Sequence, residues 1–379
     1  MPKIIYVANT DWYLFNFRLS LMKAMADRGW EVLAAAPVSA YWEKLEEAGI
    51  RFWPLRVDRK GKNPFRDLGL VFRLFRLYRR ERPEIVHHFT IKPVIYGSFA
   101  AKLVPNVFVV NAVTGLGYVF EEKGWTQKVV EGLYHPALKG KSVAIFQNPE
   151  NFSYFVKRKL VSEERSFLVK GSGVDVQTFA PEDRERKEPG KGTVFLMVAR
   201  MLWDKGVREF VSAAGLVRKT FPDAEFWMVG GVDKGNPSSV PVSWLREAEA
   251  RGDVKWWGHR EDVVSFFREA DVVVLPSHHE GLPKTLLEGA AMGKPLIATD
   301  IPGCREVVAD GENGMLVPVK DAGKLAEAMV FMIKNSLVRK KMGEKGRQKT
   351  VREFSDVRVV EETIGVYKRV RPELFPGNY

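Results

Sequence analysis

The chain has 379 residues, which is more than one hydrophobic core usually serves, so its length predicts about two domains. Its 45% hydrophobic and 28% charged residues are typical of a soluble globular protein, and its net charge of +12 indicates an acidic partner: a nucleotide, a nucleic acid or an anionic membrane. The single cysteine, Cys304, excludes an intramolecular disulfide and a cysteine-cluster metal site, and with no evident base beside it we interpret it as a small structural residue.

Segments that would direct the chain to or through a membrane are not evident. No apolar run approaches the roughly 20 residues that a bilayer-spanning helix needs. The N-terminus also lacks the basic start, apolar middle and small-residue cleavage site of a signal peptide. We therefore expect a cytoplasmic protein.

The first half of the chain alternates strand-like and helix-like segments. Strands are predicted at residues 3–8, 31–36, 51–57, 84–88, 107–111, 143–148 and 167–170. Helices are predicted at residues 14–28, 68–78 and 97–103, and Thr10 or Asp11 is the expected cap of the first. This alternation predicts βαβ units and a parallel sheet, as in a Rossmann-like domain.

Residues 56–82 have the most unusual composition of the chain. Large apolar residues alternate there with arginines and lysines, and Asp58, Asp67 and Glu81 are the only acidic residues. Its cations are Arg56, Arg59, Lys60, Lys62, Arg66, Arg73, Arg76, Arg79, Arg80 and Arg82. The pattern favours docking on an anionic membrane, but an ordinary crossover helix with a solvated basic face has the same pattern. The sequence leaves both interpretations open.

The second half begins after a charged segment rich in proline and glycine, residues 181–192, which predicts a linker. Strands are then predicted at residues 193–199, 225–230, 254–257, 271–275 and 294–299. Helices are predicted at residues 207–219, 285–292, 322–334 and 357–370. We expect a second Rossmann-like domain.

Two cations follow the first strand of this second domain. Arg200 and Lys205 stand on either side of the turn at the strand's carboxyl end, where open α/β sheets bind ligands. Arginine holds a diphosphate through two parallel donors, and lysine holds it as a point charge. The pair predicts an anion site.

A strand, a loop and a helix are predicted over residues 271–292. Pro283 suits the first helical position, and the amides around Gly281, Leu282 and Lys284 would then point at the strand's carboxyl end as a phosphate site. Two carboxylates frame this loop, Glu280 and Glu288.

These residues, together with motifs in the first half of the chain, resemble those of a known enzyme family. Residues 280–283 (EGLP) followed by 287–290 (LEGA) resemble the signature of retaining glycosyltransferases of the GT-B fold, in which two glutamates are separated by seven residues. Residues 89–93 (FTIKP) and 114–120 (TGLGYVF) resemble, within family 4 (glycosyl transferases group 1), the branch related to bacterial N-acetylgalactosaminyltransferases that extend sugars on undecaprenyl diphosphate. This chain also resembles the family at the interdomain hinge, where the matching residues are Gly173, Val174, Asp175, Phe179 and Pro181. The resemblance covers nearly the whole chain.

The resemblance implies an α/β fold of the GT-B type, with two Rossmann-like domains facing across a cleft. Residues 1–172 would bind the acceptor, with a C-terminal helix at 357–379 packing back on them. Residues 173–192 would form the hinge, and residues 193–356 would bind the nucleotide sugar. The implied reaction is retaining transfer of a sugar, expected to be an N-acetylhexosamine, from a UDP-sugar to a polyprenyl-diphosphate-linked saccharide or similar glycan.

The resemblance also implies roles for individual residues. Arg200 and Lys205 would bind the donor diphosphate, Glu280 would lie by the transferred sugar, and Glu288 would bind the donor ribose. The other implied donor-binding residues are Gly281, Leu282, Pro283, Lys284, Gly258 and Arg260. The implied acceptor or cleft residues are Asn9, Thr10, Asn16, Thr114, Gly115 and Gly117.

The chain departs from the family pattern at two places. Many members have glycines after the first strand, where this chain has Asn9 and Thr10, and a histidine after the fifth strand, where it has Thr114. We assign no histidine to the donor sugar; His87, His88 and His135 are weaker candidates.

No cofactor and no metal are expected. The expected partners are a UDP-sugar, a lipid-linked glycan acceptor and an anionic membrane surface on the inner face of the cell membrane. Three alternatives remain: a nucleotide-sugar epimerase of the same fold, a glycosyltransferase using UDP-glucose or GDP-mannose, and a basic nucleic-acid-binding protein. The last would need a groove-reading motif, and the sequence contains none that we recognise.

Overall fold

The computed structural model describes residues 1–57, 64–114, 125–182, 192–233 and 235–375. The chain divides into two compact units. Unit 1 comprises Met1–Ser172 with Val357–Tyr379, and unit 2 comprises Gly173–Asp356. Each unit is built on a parallel sheet with helices, so the fold is α/β.

Seven described strands form the sheet of unit 1. They are β1 (Lys3–Val7), β2 (Glu31–Ala36), β3 (Arg51–Pro54), β4 (Ile85–Phe89), β5 (Phe108–Val113), β6 (Ser142–Phe146) and β7 (Ser166–Leu168). All pairs are parallel, in the order β3-β2-β1-β4-β5-β6-β7. The order reverses between β1 and β4, which makes that boundary the topological switch point of the sheet.

The described helices of unit 1 cover both faces of this sheet. They are α1 (Asp11–Asp27), α2 (Trp42–Glu47), α3 (Pro64–Glu81), α4 (Ser98–Lys102), α5 (Trp125–Ala137), α6 (Pro149–Lys157) and α14 (Asp356–Val370), whose residues from Val357 belong to this unit. Helices α1 and α14 share one core cluster with alternate strand residues, and α3 and α4 share another. Burial on both faces explains why the strands are continuously apolar.

Unit 2 repeats the architecture with six described strands. They are β8 (Val194–Val198), β9 (Glu225–Val229), β10 (Lys255–Trp256), β11 (Val272–Leu275), β12 (Leu296–Thr299) and β13 (Gly314–Val317), in the order β10-β9-β8-β11-β12-β13. Its described helices are α7 (Val207–Arg218), α8 (Val242–Ala250), α9 (Val264–Glu269), α10 (Lys284–Ala291), α11 (Pro302–Val307), α12 (Ala322–Lys334) and α13 (Ser336–Phe354). Its switch point lies between β8 and β11.

The structure differs from the sequence predictions at several element boundaries. Helix α1 begins at Asp11, three residues before the predicted start, because Thr10 caps it by accepting a hydrogen bond from the Tyr13 amide at 3.1 Å. Pro283 is not the first helical residue: its ψ of 111° is extended, so it is the N-cap and α10 begins one residue later. Helix α13 was not predicted, because its sequence is rich in charged residues and only Met342, Thr350, Phe354 and two glycines are buried.

None of the helices in the described ranges is long and apolar enough to cross a bilayer.

Candidate active site

Most of the residues predicted to bind the donor follow β8 or β11, the two strands at the switch point of unit 2. The carboxyl ends of neighbouring parallel strands meet at the same edge of a sheet, and ligands of open α/β sheets bind there. Residues 199–206 follow β8 and residues 276–283 follow β11, so the two loops are neighbours.

Backbone contacts join these two loops closely. The His278 amide donates to the Asp204 carbonyl at 2.8 Å, and the Ser277 hydroxyl donates to the same oxygen at 3.2 Å. Gly206, which precedes α7, has φ of +77°, and a Cβ there would lie 2.0 Å from the Pro276 carbonyl oxygen. Only glycine permits both this conformation and this approach.

Lys205 and Glu280 form an ion pair across the two loops. The Lys205 ammonium lies 2.7 Å from Glu280 Oε1, and the two side chains are only 17% and 16% exposed. Partial burial reduces solvent screening, so this pair is stronger than a surface ion pair. The structure thus brings together two residues that the sequence analysis had placed in one site from separate motifs.

Arg200 is held by a carboxylate that the sequence analysis missed. Its guanidinium lies 2.8 Å from Oδ2 of Asp233, which also accepts a hydrogen bond from Asn236. Asp233 is 15% exposed, whereas Arg200 is 52% exposed. Because β9 is the neighbour of β8, polar residues after β9 meet those after β8, and the signal for Asp233 was its place just after that strand.

Glu288 is buried on α10. Loss of hydration raises its pKa to about 7, and the nearby Lys284 ammonium, 4.0 Å away, opposes the shift only partly. Helix α10 is fixed there because the Thr285 hydroxyl donates to the Val198 carbonyl at 2.8 Å. A Cβ on Gly289 would lie 2.7 Å from a Val273 methyl, so the helix packs against β11 more closely than another residue would allow.

The N-terminus of α10 points its partial positive charge toward the carboxyl edge of the sheet. Pro283 caps this end, and its carbonyl accepts from the Leu286 amide at 3.1 Å. The preceding carbonyls of Glu280 and Gly281 lie against Gly303 of α11, whose added Cβ would be 2.4 and 2.6 Å from them. Leu282 is half-buried and packs on the core of the unit.

Gly258 and Arg260 lie after β10, two strands from β8. The Gly258 carbonyl accepts from the Gly230 amide at 2.8 Å, which places it beside the end of β9. Arg260 is exposed, and its Nε donates to the Trp257 carbonyl at 3.1 Å. Arg260 is therefore hydrogen-bonded within its own loop, and no hydrogen bond or ion pair joins it to the described residues that follow β8 or β11.

A histidine and a glutamate pair behind the 276–283 loop, and the sequence analysis missed both. His278 Nε2 lies 3.1 Å from Oε1 of Glu209 on α7, and both side chains are largely buried. Burial lowers the pKa of the neighbouring His279, as does the charge of His278. No local pattern signals the Glu209 contact, because it joins residues 69 positions apart.

The predicted acceptor residues lie in unit 1. Asn9 and Thr10 follow β1, Asn16 lies on α1 and donates to the Trp12 carbonyl at 2.9 Å, and Thr114 follows β5. Since β4 lies between β1 and β5, these residues share the carboxyl edge of one sheet. Gly115 and Gly117 lie outside the described residues, as do Arg59, Lys60 and Lys62 of the basic segment.

The three histidines considered as weaker candidates are in unit 1. His88 is buried between Asn111 Oδ1 at 3.0 Å and the Tyr78 hydroxyl at 2.8 Å. His87 is buried with Nδ1 2.6 Å from the Tyr367 hydroxyl. His135 is hydrogen-bonded to the Lys159 carbonyl at 2.9 Å. Burial lowers the pKa of His87 and His88, so both are neutral at pH 7.

The described residues include no cluster of three or more histidine, cysteine, aspartate or glutamate side chains arranged to hold a metal ion. Cys304 is buried on α11, and burial raises the pKa of its thiol.

Comparison with known proteins identifies the family. Residues 179–349 match the model of the glycosyl transferases group 1, and residues 3–148 match the model of glycosyl transferase 4-like domains. The chain is a glycosyltransferase, with a group 1 domain in its second half and a glycosyl transferase 4-like domain in its first half. Between them the two matches cover most of this glycosyltransferase, and they coincide with its two halves.

Two bacterial relatives align with most of the glycosyltransferase. It is 27% identical to the N,N'-diacetylbacillosaminyl-diphospho-undecaprenol alpha-1,3-N-acetylgalactosaminyltransferase of Campylobacter jejuni, over 97% of this chain and 99% of that one. It is also 27% identical to the UDP-Gal:alpha-D-GlcNAc-diphosphoundecaprenol alpha-1,3-galactosyltransferase of Escherichia coli, over 80% and 79%.

Solved structures show that the glycosyltransferase has the GT-B fold. Anabaena HepE in complex with UDP has a TM-score of 0.78 at 17% identity, covering 97% of this chain and 100% of that chain. A sucrose-phosphate synthase from Thermosynechococcus elongatus has a TM-score of 0.80 at 17% identity, covering 98% and 100%.

Proposed function

We propose that this glycosyltransferase moves an N-acetylhexosamine from a UDP-sugar to a saccharide linked to a polyprenyl diphosphate, with retention of the α configuration. The two bacterial relatives support the acceptor class, because both names specify sugars on diphospho-undecaprenol. The UDP in the HepE structure supports a uridine nucleotide as the donor's carrier.

The observation that carries the proposal is the Lys205–Glu280 pair at the switch point of unit 2, with Arg200 on the same turn. A nucleotide-sugar donor needs positive charge for its diphosphate and a carboxylate by its sugar. Here an ammonium and a carboxylate stand 2.7 Å apart at the edge where such a ligand binds. The Lys205 ammonium would then bind phosphate oxygens of the donor, and the Glu280 carboxylate would bind hydroxyls of its sugar.

Arg200, Lys205 and the N-terminus of α10 take the role that a metal ion plays in other transferases. When the bond between the sugar and the diphosphate breaks, negative charge grows on the departing phosphate oxygen. Fixed cations and a helix dipole stabilise this growing charge in the transition state more than they stabilise the bound donor in the ground state. The reaction therefore needs no metal and no cofactor.

Glu280 acts on the sugar, and the diphosphate itself acts as the base. As the anomeric carbon loses its bond to the diphosphate, the Glu280 carboxylate stabilises the positive charge on that carbon and holds the sugar hydroxyls. The acceptor oxygen forms its bond on the face the diphosphate leaves, and its proton passes to a phosphate oxygen. The ion pair with Lys205 reduces the nucleophilicity of Glu280, which favours this role over covalent attack.

We also propose that α3 of unit 1 docks the protein on the inner face of the cell membrane. Leu70, Leu74 and Tyr78 are buried against the sheet, as a crossover helix requires. The outer face nevertheless exposes Phe72 by 59% and Leu68 by 64%. Arg73, Arg76, Arg79 and Arg80 flank these apolar side chains, a combination that anionic bilayers bind.

A thermal stabilisation screen with nucleotide sugars tests the donor. A ligand that binds only the folded state raises the midpoint of thermal unfolding. At a ligand concentration of one hundred times Kd, the added stability is about 2.7 kcal/mol. We expect UDP-N-acetylhexosamines to stabilise the protein more than UDP-glucose, and GDP-mannose to have no effect. Stabilisation by GDP-mannose alone would overturn the donor class. Conversion of the UDP-sugar to its epimer without any acceptor would identify an epimerase instead.

A further inference from the structure

Arg18 of α1 is a buried cation that pairs with no carboxylate among the described residues. It is 5% exposed, and no carboxylate of the described chain lies within 4.0 Å of its guanidinium. Its partners are neutral: the Gly171 carbonyl at 3.3 Å, the Tyr13 hydroxyl at 2.9 Å and the face of Phe89 at 4.5 Å. Its Nε is buried and makes no hydrogen bond. Burying an uncompensated charge is strongly unfavourable, so a gain elsewhere must offset it.

The position of Arg18 is where a ligand of unit 1 should bind. Helix α1 directly follows β1, and Phe89 is the last residue of β4. These strands flank the reversal in strand order, so the guanidinium lies at the topological switch point of the sheet. In open α/β sheets the crevice at that point, outside the carboxyl ends of the strands, is the ligand site.

Two further features of β4 mark the same place. His87 lies two residues before Phe89, its ring 4.1 Å from the Phe89 ring, and its Nε2 is buried without a hydrogen-bond partner. Thr90 follows Phe89 with φ of +69°, and its hydroxyl is also buried and unpartnered. A β-branched residue with positive φ is a rare, strained conformation, and such strain concentrates at ligand sites.

We propose that Arg18 binds an oxyanion of the acceptor, either a phosphate or a carboxylate, at the switch point of unit 1. This inference rests on the proposed transferase function. A guanidinium can only donate hydrogen bonds and is positively charged. An anion satisfies both properties, whereas a neutral hydroxyl of the acceptor substrate supplies no charge. The oxyanion replaces the hydroxyl of the half-buried Tyr13 as the partner of Nη2 and supplies the missing counter-charge.

Binding of anions is measured first, because it needs no turnover. Inorganic pyrophosphate and glucuronate are titrated by calorimetry in an Arg200→Ala/Lys205→Ala background, which removes both cations of the diphosphate site of unit 2. We expect Arg18→Met, which keeps the side-chain volume, to weaken binding of one anion at least tenfold. Arg18→Lys keeps the charge and should retain part of the affinity. Unchanged affinity for both anions in Arg18→Met overturns the proposal.

Acceptor kinetics then identify the source of the oxyanion. Three acceptors carry the same saccharide: a short-chain prenyl diphosphate, a neutral alkyl glycoside, and an alkyl glycoside with a uronic acid. We expect Arg18→Met to raise KM at least tenfold for the diphosphate or for the uronate, with no change for the neutral acceptor. An equal rise for all three contradicts the proposal, because it indicates a structural role.

Tyr13→Phe provides a test that leaves the charge of Arg18 in place. Removing the competing hydroxyl should lower KM for the charged acceptor by roughly three- to tenfold, as loss of one neutral hydrogen bond predicts. A higher KM in this variant contradicts the proposal. If no UDP-sugar is turned over while Arg18→Met still abolishes anion binding, the transferase proposal fails and the anion site stands.

Discussion

Replacing Glu288 by glutamine should stabilise the protein at high pH, although it removes a residue proposed to bind the donor. The pKa of this carboxyl is raised from 4.5 to about 7, mainly because burial disfavours the charged form. One unit of pKa corresponds to about 1.4 kcal/mol, so keeping Glu288 ionised in the folded state costs about 3 kcal/mol. Glutamine has the shape of the neutral acid and carries no such cost.

The sign of the pH dependence follows from the two pKa values. Below pH 4.5 both the folded and the unfolded states are protonated, and Glu288 contributes no penalty. Between pH 4.5 and about 7 the unfolded state loses its proton first, so stability falls as pH rises. Above about 7 both states are ionised, and the full penalty is present.

Thermal unfolding at pH 4.5 and pH 8.5 measures this difference. Glu288→Gln should unfold close to the wild-type midpoint at the lower pH. At the higher pH its midpoint should rise by about 6–12 °C, since 1 kcal/mol corresponds to about 2–4 °C in a unit of this size. Glu312→Gln, which alters an exposed glutamate in the turn before β13, is the control and should shift neither midpoint. Equal shifts for Glu288→Gln at both pH values would refute the argument.

The same variant separates stability from function. An ionised carboxylate accepts charge-assisted hydrogen bonds from ribose hydroxyls, and an amide does so more weakly. We therefore expect Glu288→Gln to bind a UDP-sugar about tenfold more weakly at pH 8.5 while being more stable. A UDP-sugar is the right probe because each of its phosphates is linked through two oxygens, one in an ester and one in the anhydride. Neither phosphate therefore titrates in this pH range.

Three other outcomes are expected. Arg200→Ala and Lys205→Ala should each weaken UDP binding more than tenfold in calorimetry, whereas Arg251→Ala, which removes a similarly exposed ion pair, should not. Phe72→Ser on α3 should reduce binding to anionic vesicles at low salt, and binding unaffected by salt would contradict the membrane proposal. Gly303→Ala should lower kcat more than UDP affinity, because its Cβ would displace the backbone of Glu280; wild-type turnover would show that the loop tolerates it.

Most of the strands were predictable because they depend on local patterns. Continuous apolar runs mark strands buried on both faces, and polar residues directly after such runs lie at the carboxyl edge of the sheet. This reasoning placed Lys205 and Glu280 each at the carboxyl end of a strand, and the family resemblance then placed both in one site without knowledge of the strand order. It would also have found Asp233, had the neighbouring position of β8 and β9 been used.

Other features could not be read from the sequence because they depend on contacts between distant segments. The pairing of Glu209 with His278 and the burial of Arg18 against the Gly171 carbonyl arise only when helices pack on the folded sheets. Helix α13 has too few apolar residues to show a helical period, and it packs partly through Gly343, whose added Cβ would lie 1.9 Å from the Gly293 carbonyl. Such close backbone packing has no hydrophobic signature.

The anomeric configuration of the first product tests the central claim most directly. The protein is incubated with an α-linked UDP-N-acetylhexosamine and a saccharyl prenyl diphosphate, and the coupling constant of the new anomeric proton is measured by NMR before any secondary reaction. The account predicts an α product, because the acceptor attacks on the face that the diphosphate leaves. A β product would contradict it and would require a general base that removes the acceptor's proton on the opposite face of the sugar.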